Sequence, residues 1–580
     1  MKTTHPYRLG LGLTVLLLAL CAGAALAMPP NPDLVSKVAA GKIAALYPMS
    51  HLNELHQRGI DTPDSFFFRN PGGKPGPGMS ATATGPFKIL AILVKFSDDT
   101  SKVPPTFFDS LVFDSTGHTV KDYFKEISYG QLDLVTVNLP SSLGWNTAPQ
   151  TYAYYVNGQN GLGAYPQNSQ KLVEDLVTML DGSVNFSNYD NNHDGYVDCL
   201  LVIHAGSGAE MTGNVNDMWS HKWAVTPTFS AGLHDGVHIS SYTVQPEYWH
   251  NPGDMTIGVY SHELSHGFGL PDLYDTDNTS KGVGRWCIMG YGSWNGNNLG
   301  YSPSHPCAWS RIKMGFTTSL NVTSSQLNQA IPAVENGGPI FRLWTGGLAS
   351  QEYFLVENRQ KVLSDTALPG GGLLIWHIDD AKGSLQTPNN QEWWPGQPSA
   401  NHYEVAVEQA DGLYQLEHDL NVGDAADPYP GTTGNTTFSD VSSPSANSYS
   451  GSPTSVQVKN ISTSSAVMHA DLIVSISAAV DDHTRSLPQS TNLDQNYPNP
   501  FNPSTTIAFD LPSASKVRVE VLNLLGQHVR TLLDRTIAAG PSSVVWDGTD
   551  ESGRTVSSGT YFYRLSTAEQ TIARKMVLLK

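Results

Sequence analysis

In the first half of the chain, apolar residues recur at helical spacing in some segments and in strand-like patterns in others. These patterns predict the helices and strands of an α/β domain. Residues 88–96 form a nearly continuous apolar run, which is typical of a strand buried on both faces. Residues 120–126 and 172–180 carry apolar side chains at helical spacing, whereas residues 132–137 alternate as a strand. The apolar run at residues 199–204 predicts a second buried strand. Strands and helices that follow one another in this way indicate an α/β arrangement.

The second half of the chain has a different pattern, with short alternating strands between turn residues. The strands are predicted at residues 353–357, 373–378, 403–407 and 456–458. Beyond them, alternation over residues 507–511, 517–521 and 561–563 predicts a small immunoglobulin-like β-sandwich at the C-terminus.

The N-terminus has the three parts of a secretory signal peptide. Lys2 and Arg8 precede an apolar stretch, and the small residues around Ala27 predict cleavage there, at the end of residues 1–27. A retained membrane anchor is the alternative, but it needs a longer apolar span. We therefore expect an exported protein with no transmembrane segment in the mature chain.

A short segment with helical spacing at Val35, Val38, Ile43 and Leu46 follows, and then a Pro/Gly-rich tract at residues 70–78. A small helical unit on a tether before a larger domain is typical of a propeptide, and a disordered leader is the alternative. The segment contains no cysteine, which excludes a cysteine-based latency mechanism.

The length of 580 residues is too great for one hydrophobic core, so we expect several domains. The patterns divide the chain into a signal peptide (1–27), a propeptide (28–85), a catalytic domain (86–315), a β-rich domain (316–478), a linker (479–492) and a C-terminal domain (493–580). The net charge of −19 disfavours nucleic acid and anionic lipid as partners and favours cations.

The motif that carries chemistry lies in a predicted helix from Thr256 to Gly267, for which Asp254 is the predicted N-cap. His262 and His266 are four residues apart, so their imidazoles project from one helix face, and Glu263 stands beside the first. Gly269 permits a turn that ends the helix. This turn would bring the chain back toward the helix, so that Asp272 can serve as a third ligand. The sequence thus predicts a Zn²⁺ site made by His262, His266 and Asp272, with Glu263 as the general base. Met289, in the segment Cys287 to Tyr291, is predicted to form a tight turn beneath the metal.

A second cation site is predicted immediately before the strand at residues 199–204. Oxygen ligands at alternating positions around Gly195 suit Ca²⁺, and a turn stabilised by its own Asn and Asp side chains is the alternative. The predicted ligands are Asp190, Asn192, Asp194, Tyr196 through its carbonyl, and Asp198.

Three cysteines remain after the predicted cleavage. A disulfide between Cys287 and Cys307 would brace the Met289 turn, and two free thiols are the alternative; Cys199 has no partner. His204 and His221 lie at no ligand spacing, so we expect them to be core or supporting histidines.

The zinc motif, together with residues 121–134, 190–208, 353–379 and 408–412, resembles the immune inhibitor A family of secreted bacterial metalloproteases, which are metzincin-like zinc enzymes. The resemblance implies a zymogen with a calcium-binding, metzincin-like α/β catalytic domain and a β-rich domain behind it. It also implies that Tyr291, two residues after Met289, approaches the metal and stabilises the oxyanion of the reaction.

The C-terminal domain opens with Asn-Tyr-Pro-Asn-Pro-Phe-Asn-Pro at residues 496–503 and closes with Lys-Met-Val-Leu-Leu-Lys at residues 575–580. These segments resemble the sorting domains of proteins exported by type IX secretion, which would make the secretion machinery a partner. A similar Ig-like segment also serves as a plain structural module.

Together these features predict a secreted zinc endopeptidase that acts on extracellular proteins or peptides. Two other functions stay open: a non-catalytic cell-surface binding protein on the same fold, and a zinc hydrolase of a non-peptide substrate.

Overall fold

The computed structural model describes residues 28–64, 84–383, 388–475, 490–496, 499–501, 503–537 and 540–579. The predicted signal peptide, the Pro/Gly-rich tract and most of the predicted linker lie outside these residues. None of the helices in the described ranges is both long enough and apolar enough to cross a lipid bilayer.

The N-terminal segment, residues 28–64, folds into three short helices: α1 Pro32–Ala39, α2 Tyr47–Ser50 and α3 Leu52–Gln57. Asn31 begins α1 by accepting a hydrogen bond from the backbone of Asp33. The helix ends before the predicted Ile43 and Leu46, because Gly41 takes a φ of +65° just after it. Buried side chains nevertheless anchor the segment to the domain that follows, namely Leu34, Leu46, Leu55 and Ile60.

A five-stranded sheet in the order β4-β2-β5-β7-β6 forms the centre of the next region. Pairing is parallel from β4 to β7, and β6 is an antiparallel edge strand. A separate parallel pair joins β1 to β3. The strands are β1 Gly85–Lys88, β2 Leu90–Lys95, β3 Leu132–Val135, β4 Trp145–Thr147, β5 Leu200–Ser207, β6 His221–Ala224 and β7 Ser241–Tyr248.

Helices cover both faces of this sheet. Leu93 on β2 packs into one core with Phe124 and Leu264, while its neighbour Ile92 packs into the other with Leu172. Burial on both faces explains the continuous apolar run of β2. The helices are α4 Pro105–Phe113, α5 Val120–Ile127, α6 Pro140–Leu143, α7 Tyr152–Val156, α8 Ser169–Leu180, α9 Ala209–Thr212, α10 Pro227–Ser230, α11 Ile257–Gly267 and α12 Ala308–Lys313.

The β-rich region consists of a five-stranded sheet, β13-β12-β11-β10-β8, and a three-stranded sheet, β14-β15-β9. Alternate residues of β11 face opposite ways: Leu355 joins the core of the α/β region, and Phe354 joins a core between the two sheets. The strands are β8 Ser319–Asn321, β9 Gln326–Pro332, β10 Ile340–Leu343, β11 Glu352–Arg359, β12 Gly372–Asp379, β13 Val405–Val407, β14 Val456–Lys459 and β15 Val467–Val474.

Buried charges join the β-rich region to α12. Arg311 of α12 forms an ion pair with Glu357, and Arg359 pairs with Glu357 and with Asp365 at 2.7 Å; all four side chains are fully buried. Loss of one partner would leave a buried charge without compensation, which is strongly destabilising. These ion pairs therefore hold the α/β and β-rich regions together in addition to their apolar contacts.

The C-terminal region is a sandwich of seven strands, as predicted. One sheet has the order β16-β17-β20 and the other β19-β18-β21-β22. Phe509, Val519 and Trp546 lie in its own separate core. The strands are β16 Asn492–Leu493, β17 Thr505–Leu511, β18 Ser515–Leu522, β19 His528–Ile537, β20 Gly540–Trp546, β21 Gly559–Ser566 and β22 Thr571–Leu578.

Candidate active site

Helix α11 carries His262, Glu263 and His266, and all three side chains are fully buried. The two imidazole rings are 5.0 Å apart between centroids, as expected for positions four apart on one helix face. The predicted N-cap is wrong. Thr256 precedes the helix without a side-chain cap, and the Asp254 carboxylate instead accepts hydrogen bonds from the backbone N–H groups of residues 249–251.

A turn at Gly269 brings the chain back to the helix. Gly269 has a φ of +88°, which favours glycine, and its N–H donates to the carbonyl of His266 at 3.0 Å. Asp272 then approaches both imidazoles: its Oδ1 lies 3.1 Å from Nε2 of His262 and 3.5 Å from Nε2 of His266. The structure therefore brings the three predicted zinc ligands together.

The donor chemistry of these residues fits a zinc ion. Nδ1 of His262 donates to the carbonyl of Ile288 at 2.8 Å, and Nδ1 of His266 donates to that of Leu270 at 2.8 Å. Each Nε2 is thereby left with its lone pair. Both Nε2 atoms and Oδ1 of Asp272 are buried without a hydrogen bond. Two ligands on tetrahedral Zn²⁺ lie about 3.4 Å apart, close to the separations observed here.

Glu263 stands beside the three ligands with both carboxylate oxygens buried and without hydrogen bonds. Burial raises the pKa of Glu263 well above its ordinary value, and the nearby charges of Asp61 and Asp272 raise it further. A divalent cation is the charge that would balance this group of acids. A carboxylate in this position suits a general base.

Met289 is fully buried, and its carbonyl accepts a hydrogen bond from the N–H of Leu273 at 2.8 Å. The turn is therefore tied to the residue directly after Asp272. Tyr291 is also buried, and its ring lies 5.5 Å from the ammonium group of Lys281.

Tyr274 is a tyrosine that the sequence did not single out. Its ring centroid lies 6.4 Å from that of His262 and 6.4 Å from that of Tyr291. Burial, followed by the charges of Asp272, Asp61 and Glu263, raises the pKa of Tyr274 well above its ordinary value. For Tyr291, burial is the main cause of the raised pKa, and the charges that act on it are those of Lys281, Asp419 and Asp275. Of these two tyrosines, Tyr274 is the one whose pKa is raised by the charge of Asp272, a predicted zinc ligand.

The predicted calcium loop is a tight turn around Gly195, which has a φ of +89°. The carboxylate of Asp190 accepts hydrogen bonds from the N–H groups of Asp194 at 3.1 Å and of Gly195 at 3.0 Å. Asn192 accepts another from Asp194, and Asp194 accepts one from the N–H of Tyr196. These contacts agree with the alternative of a turn stabilised by its own side chains.

Asp198, at the end of this loop, differs from the other predicted ligands. Its Oδ2 accepts a hydrogen bond from the N–H of Asn191 at 2.6 Å, whereas Oδ1 is buried without a hydrogen bond. Burial raises the pKa of Asp198 to about 7, and the nearby Asp194 and Asp190 contribute to the increase.

Asp61, in the N-terminal segment, is a residue at this site that the sequence patterns missed. Single ligand atoms of Asp61, Glu263 and His266 lie within 4.8 Å of one another, and Asp61 is only 5% exposed. Asp61 is far from the zinc-motif helix along the chain, so no sequence motif links the two. The contact is visible only in the folded structure.

The two histidines and two of the cysteines that the sequence singled out beside the zinc motif are buried in the core. His204 and His221 are fully buried core histidines, and burial lowers the pKa of each to about 4. Cys287 and Cys307 are adjacent buried thiols rather than a disulfide: the N–H of Cys307 donates to Sγ of Cys287 at 3.2 Å.

Comparison with known proteins agrees with this geometry. Residues 105–316, which contain the three zinc ligands and Glu263, match the family described as immune inhibitor A peptidase M6, catalytic domain. The chain contains a peptidase M6 catalytic domain. The chain is 32% identical over 218 residues to Immune inhibitor A of Bacillus thuringiensis subsp. alesti, covering 32% of this chain and 30% of that protein.

The chain is also similar to a second named protease. The chain is 27% identical over 277 residues to the pre-pro-metalloprotease PrtV of Vibrio cholerae serotype O1 (strain M66-2), covering 39% of this chain and 29% of that protein. The chain thus spans less than a third of the length of either relative.

The C-terminal sandwich has its own match. Residues 497–571 match the FlgD Ig-like domain family. A solved structure of FlgD from P. aeruginosa is 30% identical, covers 13% of this chain and 59% of that chain, and has a TM-score of 0.12.

Proposed function

We propose that this chain is the precursor of a secreted zinc-dependent endopeptidase that cleaves extracellular proteins or peptides. One observation carries the proposal: three buried ligand atoms, on His262, His266 and Asp272, converge without hydrogen bonds beside the unpaired carboxylate of Glu263. The M6 match over the same residues supports it.

In this proposal His262, His266 and Asp272 hold the zinc ion. When bound there, zinc would supply Lewis acidity, which lowers the pKa of water and polarises the scissile carbonyl. Glu263 takes the proton from the attacking water and delivers it to the leaving amine. The carbonyl groups of Ile288 and Leu270 keep both imidazoles oriented while this occurs.

We propose a metzincin-like site, with an aspartate as the third ligand and with Met289 in the turn that is hydrogen-bonded to Leu273. The oxyanion of the reaction needs a donor, and we retain Tyr291 as the proposed residue from the sequence. Tyr274 is a second proposed donor, because its ring lies 6.4 Å from that of His262.

We also propose a structural Ca²⁺ ion in the loop at residues 190–198, with Asp190, Asn192, Asp194, Tyr196 and Asp198 as ligands. The buried and unpaired Oδ1 of Asp198 supports this assignment. The C-terminal sandwich is proposed as a sorting domain that engages the secretion machinery, with a plain structural module as the alternative.

The test compares the wild-type protein with the Glu263→Gln variant, after maturation, on casein, an ester and a glycan. Zinc content is measured on the same samples. The variant should keep zinc and lose hydrolysis of casein by about 10²- to 10⁴-fold, because only the proton transfer is removed. Retained casein cleavage by the variant contradicts the mechanism. A wild-type protein that cleaves only the ester or glycan would indicate a non-peptide hydrolase, and one that cleaves nothing would indicate a binding protein.

A further inference from the structure

Three carboxylates meet in the β-rich region. Asp411, Asp424 and Asp427 each offer one oxygen, and these three oxygens lie within 4.8 Å of one another. All three residues belong to the part of the chain between β13 and β14. Negative charges this close repel one another, and burial strengthens the repulsion. A cluster of this kind therefore needs a compensating positive charge.

No basic side chain supplies that charge. In the part of the chain that the structure describes, no lysine, arginine or histidine forms an ion pair with Asp411, Asp424 or Asp427. Lys281, in the segment that packs on this part of the β-rich region, pairs with Asp419 instead, at 2.6 Å. The described residues thus leave the negative charge of the cluster uncompensated.

Asp427 carries a second observation that points to a bound cation. Its side chain is fully buried. Its Oδ2 accepts hydrogen bonds from the indole N–H of Trp286 at 2.8 Å and from the N–H of Asp424 at 3.1 Å. Its Oδ1, in contrast, is buried without a hydrogen bond. Burial of a charged oxygen without a partner is costly, and buried carboxylates of this kind are paired or coordinate metals.

The donor chemistry of the cluster favours calcium. All three side chains offer carboxylate oxygens, which are ligands of hard cations, whereas zinc and other softer metals favour nitrogen and sulfur. Asp424 accepts hydrogen bonds from the N–H of Ala426 at 2.7 Å and from the side-chain amide of Asn421 at 2.8 Å, but each of its oxygens keeps a further lone pair. Calcium takes about six to eight oxygen ligands in a flexible geometry, so backbone carbonyls and water can complete its shell.

The cluster lies where the β-rich region meets the segment that leads into the Met289 turn. The N–H of Arg285 donates to the carbonyl of Val422 at 2.8 Å. Trp286, the next residue, donates its indole N–H to Asp427 and is itself fully buried. A cation bound to Asp427 would therefore stabilise this contact and, through it, the start of the turn.

We propose that Asp411, Asp424 and Asp427 bind a structural Ca²⁺ ion, which holds the β-rich region against the segment that leads into the Met289 turn. This ion is distinct from the calcium proposed at residues 190–198, because the two ligand sets lie on separate loops. The site requires neither zinc nor catalysis, so the inference goes beyond the proposed function. Protons shared among the carboxylates are the other way to remove the repulsion, and calcium binding distinguishes the two.

The first experiment counts bound calcium in the full-length protein, with Glu263→Gln present in every sample to prevent self-cleavage. Asp427→Asn and Asp411→Asn are each added to this parent and compared with it by equilibrium dialysis against Ca²⁺, followed by metal analysis. Asp471→Asn is the matched control, because Asp471 is an acid of the same region that hydrogen-bonds to Asn460 and lies outside the cluster.

Each cluster variant should bind about one Ca²⁺ fewer than the parent, and the control should bind as many as the parent. In Asp427→Asn, the amide oxygen can still accept from the indole of Trp286, so the change removes the charge and keeps the packing. The loop at residues 190–198 is unchanged in all samples, so its occupancy cancels in the comparison. Equal calcium counts in the parent and in either folded variant would overturn the inference, since protons would then balance the acids.

Hydrogen exchange locates the ion and can be measured on the parent alone. Peptides that cover residues 281–286 and 411–427 should exchange up to about 100-fold more slowly with calcium at about 100 times its Kd than with EGTA. This protection should disappear in Asp427→Asn and persist in Asp471→Asn. Parent peptides that exchange equally in both conditions, or a response confined to residues 190–198, would overturn the inference even if a cluster variant failed to fold. None of these readouts measures hydrolysis, so they stand whether or not the chain proves to be an endopeptidase.

Discussion

The carbonyl oxygen of Ile288 accepts a hydrogen bond from Nδ1 of His262 at 2.8 Å. Ile288 directly precedes Met289, whose carbonyl accepts a hydrogen bond from the N–H of Leu273, the residue after Asp272. Because a carbonyl can only accept, Nδ1 must carry the proton and Nε2 must present its lone pair. The turn therefore sets the tautomer and the orientation of the first proposed metal ligand.

Asp272→Asn is expected to weaken zinc binding by about 10- to 100-fold, because the amide keeps the shape of the side chain and loses its charge. Chelator competition together with metal analysis measures this loss. Asp275→Asn is the control, since Asp275 is a nearby buried acid that hydrogen-bonds to Ser280 instead of joining the ligand cluster. Unchanged zinc affinity in the Asp272 variant would remove Asp272 from the ligand set.

Tyr274→Phe should lower kcat by about 10²-fold or more, with little change in KM, if its hydroxyl stabilises the oxyanion. Tyr291→Phe should have the smaller effect, because Lys281 lies against its ring and dominates the charges around it. Steady-state kinetics of both variants on one peptide compares them directly. A larger loss of kcat in the Tyr291 variant would favour Tyr291 over Tyr274 as the oxyanion donor.

Local sequence was sufficient to predict that the three proposed zinc ligands lie close together. His262, His266 and Asp272 are held by one helix and one glycine turn, so their spacing along the chain determines their distances in space. The buried strand β2 could also be predicted from local sequence, because burial on both faces requires a continuous apolar run.

The residues that sequence could not reveal make contacts between distant parts of the chain. Asp61 reaches Glu263 only because the N-terminal segment pairs with β6, and Arg311 meets Glu357 only because the β-rich region packs on α12. Neither contact leaves a periodic pattern. The predicted N-cap failed for a different, local reason: Asp254 has the right residue type, but its side chain caps the turn before the helix.

Calcium removal should destabilise the wild-type protein, since the loop at residues 190–198 brings several acids together with the buried Oδ1 of Asp198. Calcium at about 100 times its Kd would add about 2.7 kcal/mol to the stability of the region it binds. Thermal unfolding with EGTA and with added calcium measures the difference. Asp198→Asn should abolish the loop's part of the response, whereas Asp181→Asn, at an exposed pair with His234, should preserve it. A wild-type protein that is indifferent to EGTA would leave the loop as an ordinary turn.

His377 on β12 should make the stability of the β-rich region depend on pH. Burial opposes its charged form, but hydrogen bonds to Glu352 and Glu408, both at 3.0 Å, prevail and raise the pKa of His377 above its ordinary value. The ring of Tyr449 stacks on the imidazole at 3.9 Å, so the charged pair is held away from solvent.

A histidine whose pKa is raised by folding stabilises the folded state fully below the unfolded pKa, about 6.5, and this stabilisation is lost as the pH rises through the folded pKa. Hydrogen-exchange protection of Gly372–Asp379, corrected for the intrinsic exchange rate, should therefore fall across that window. His377→Gln should flatten the dependence, while the exposed His250→Gln should leave it unchanged. Protection that rises with pH in the wild-type protein would show that burial, and not the two glutamates, controls this imidazole.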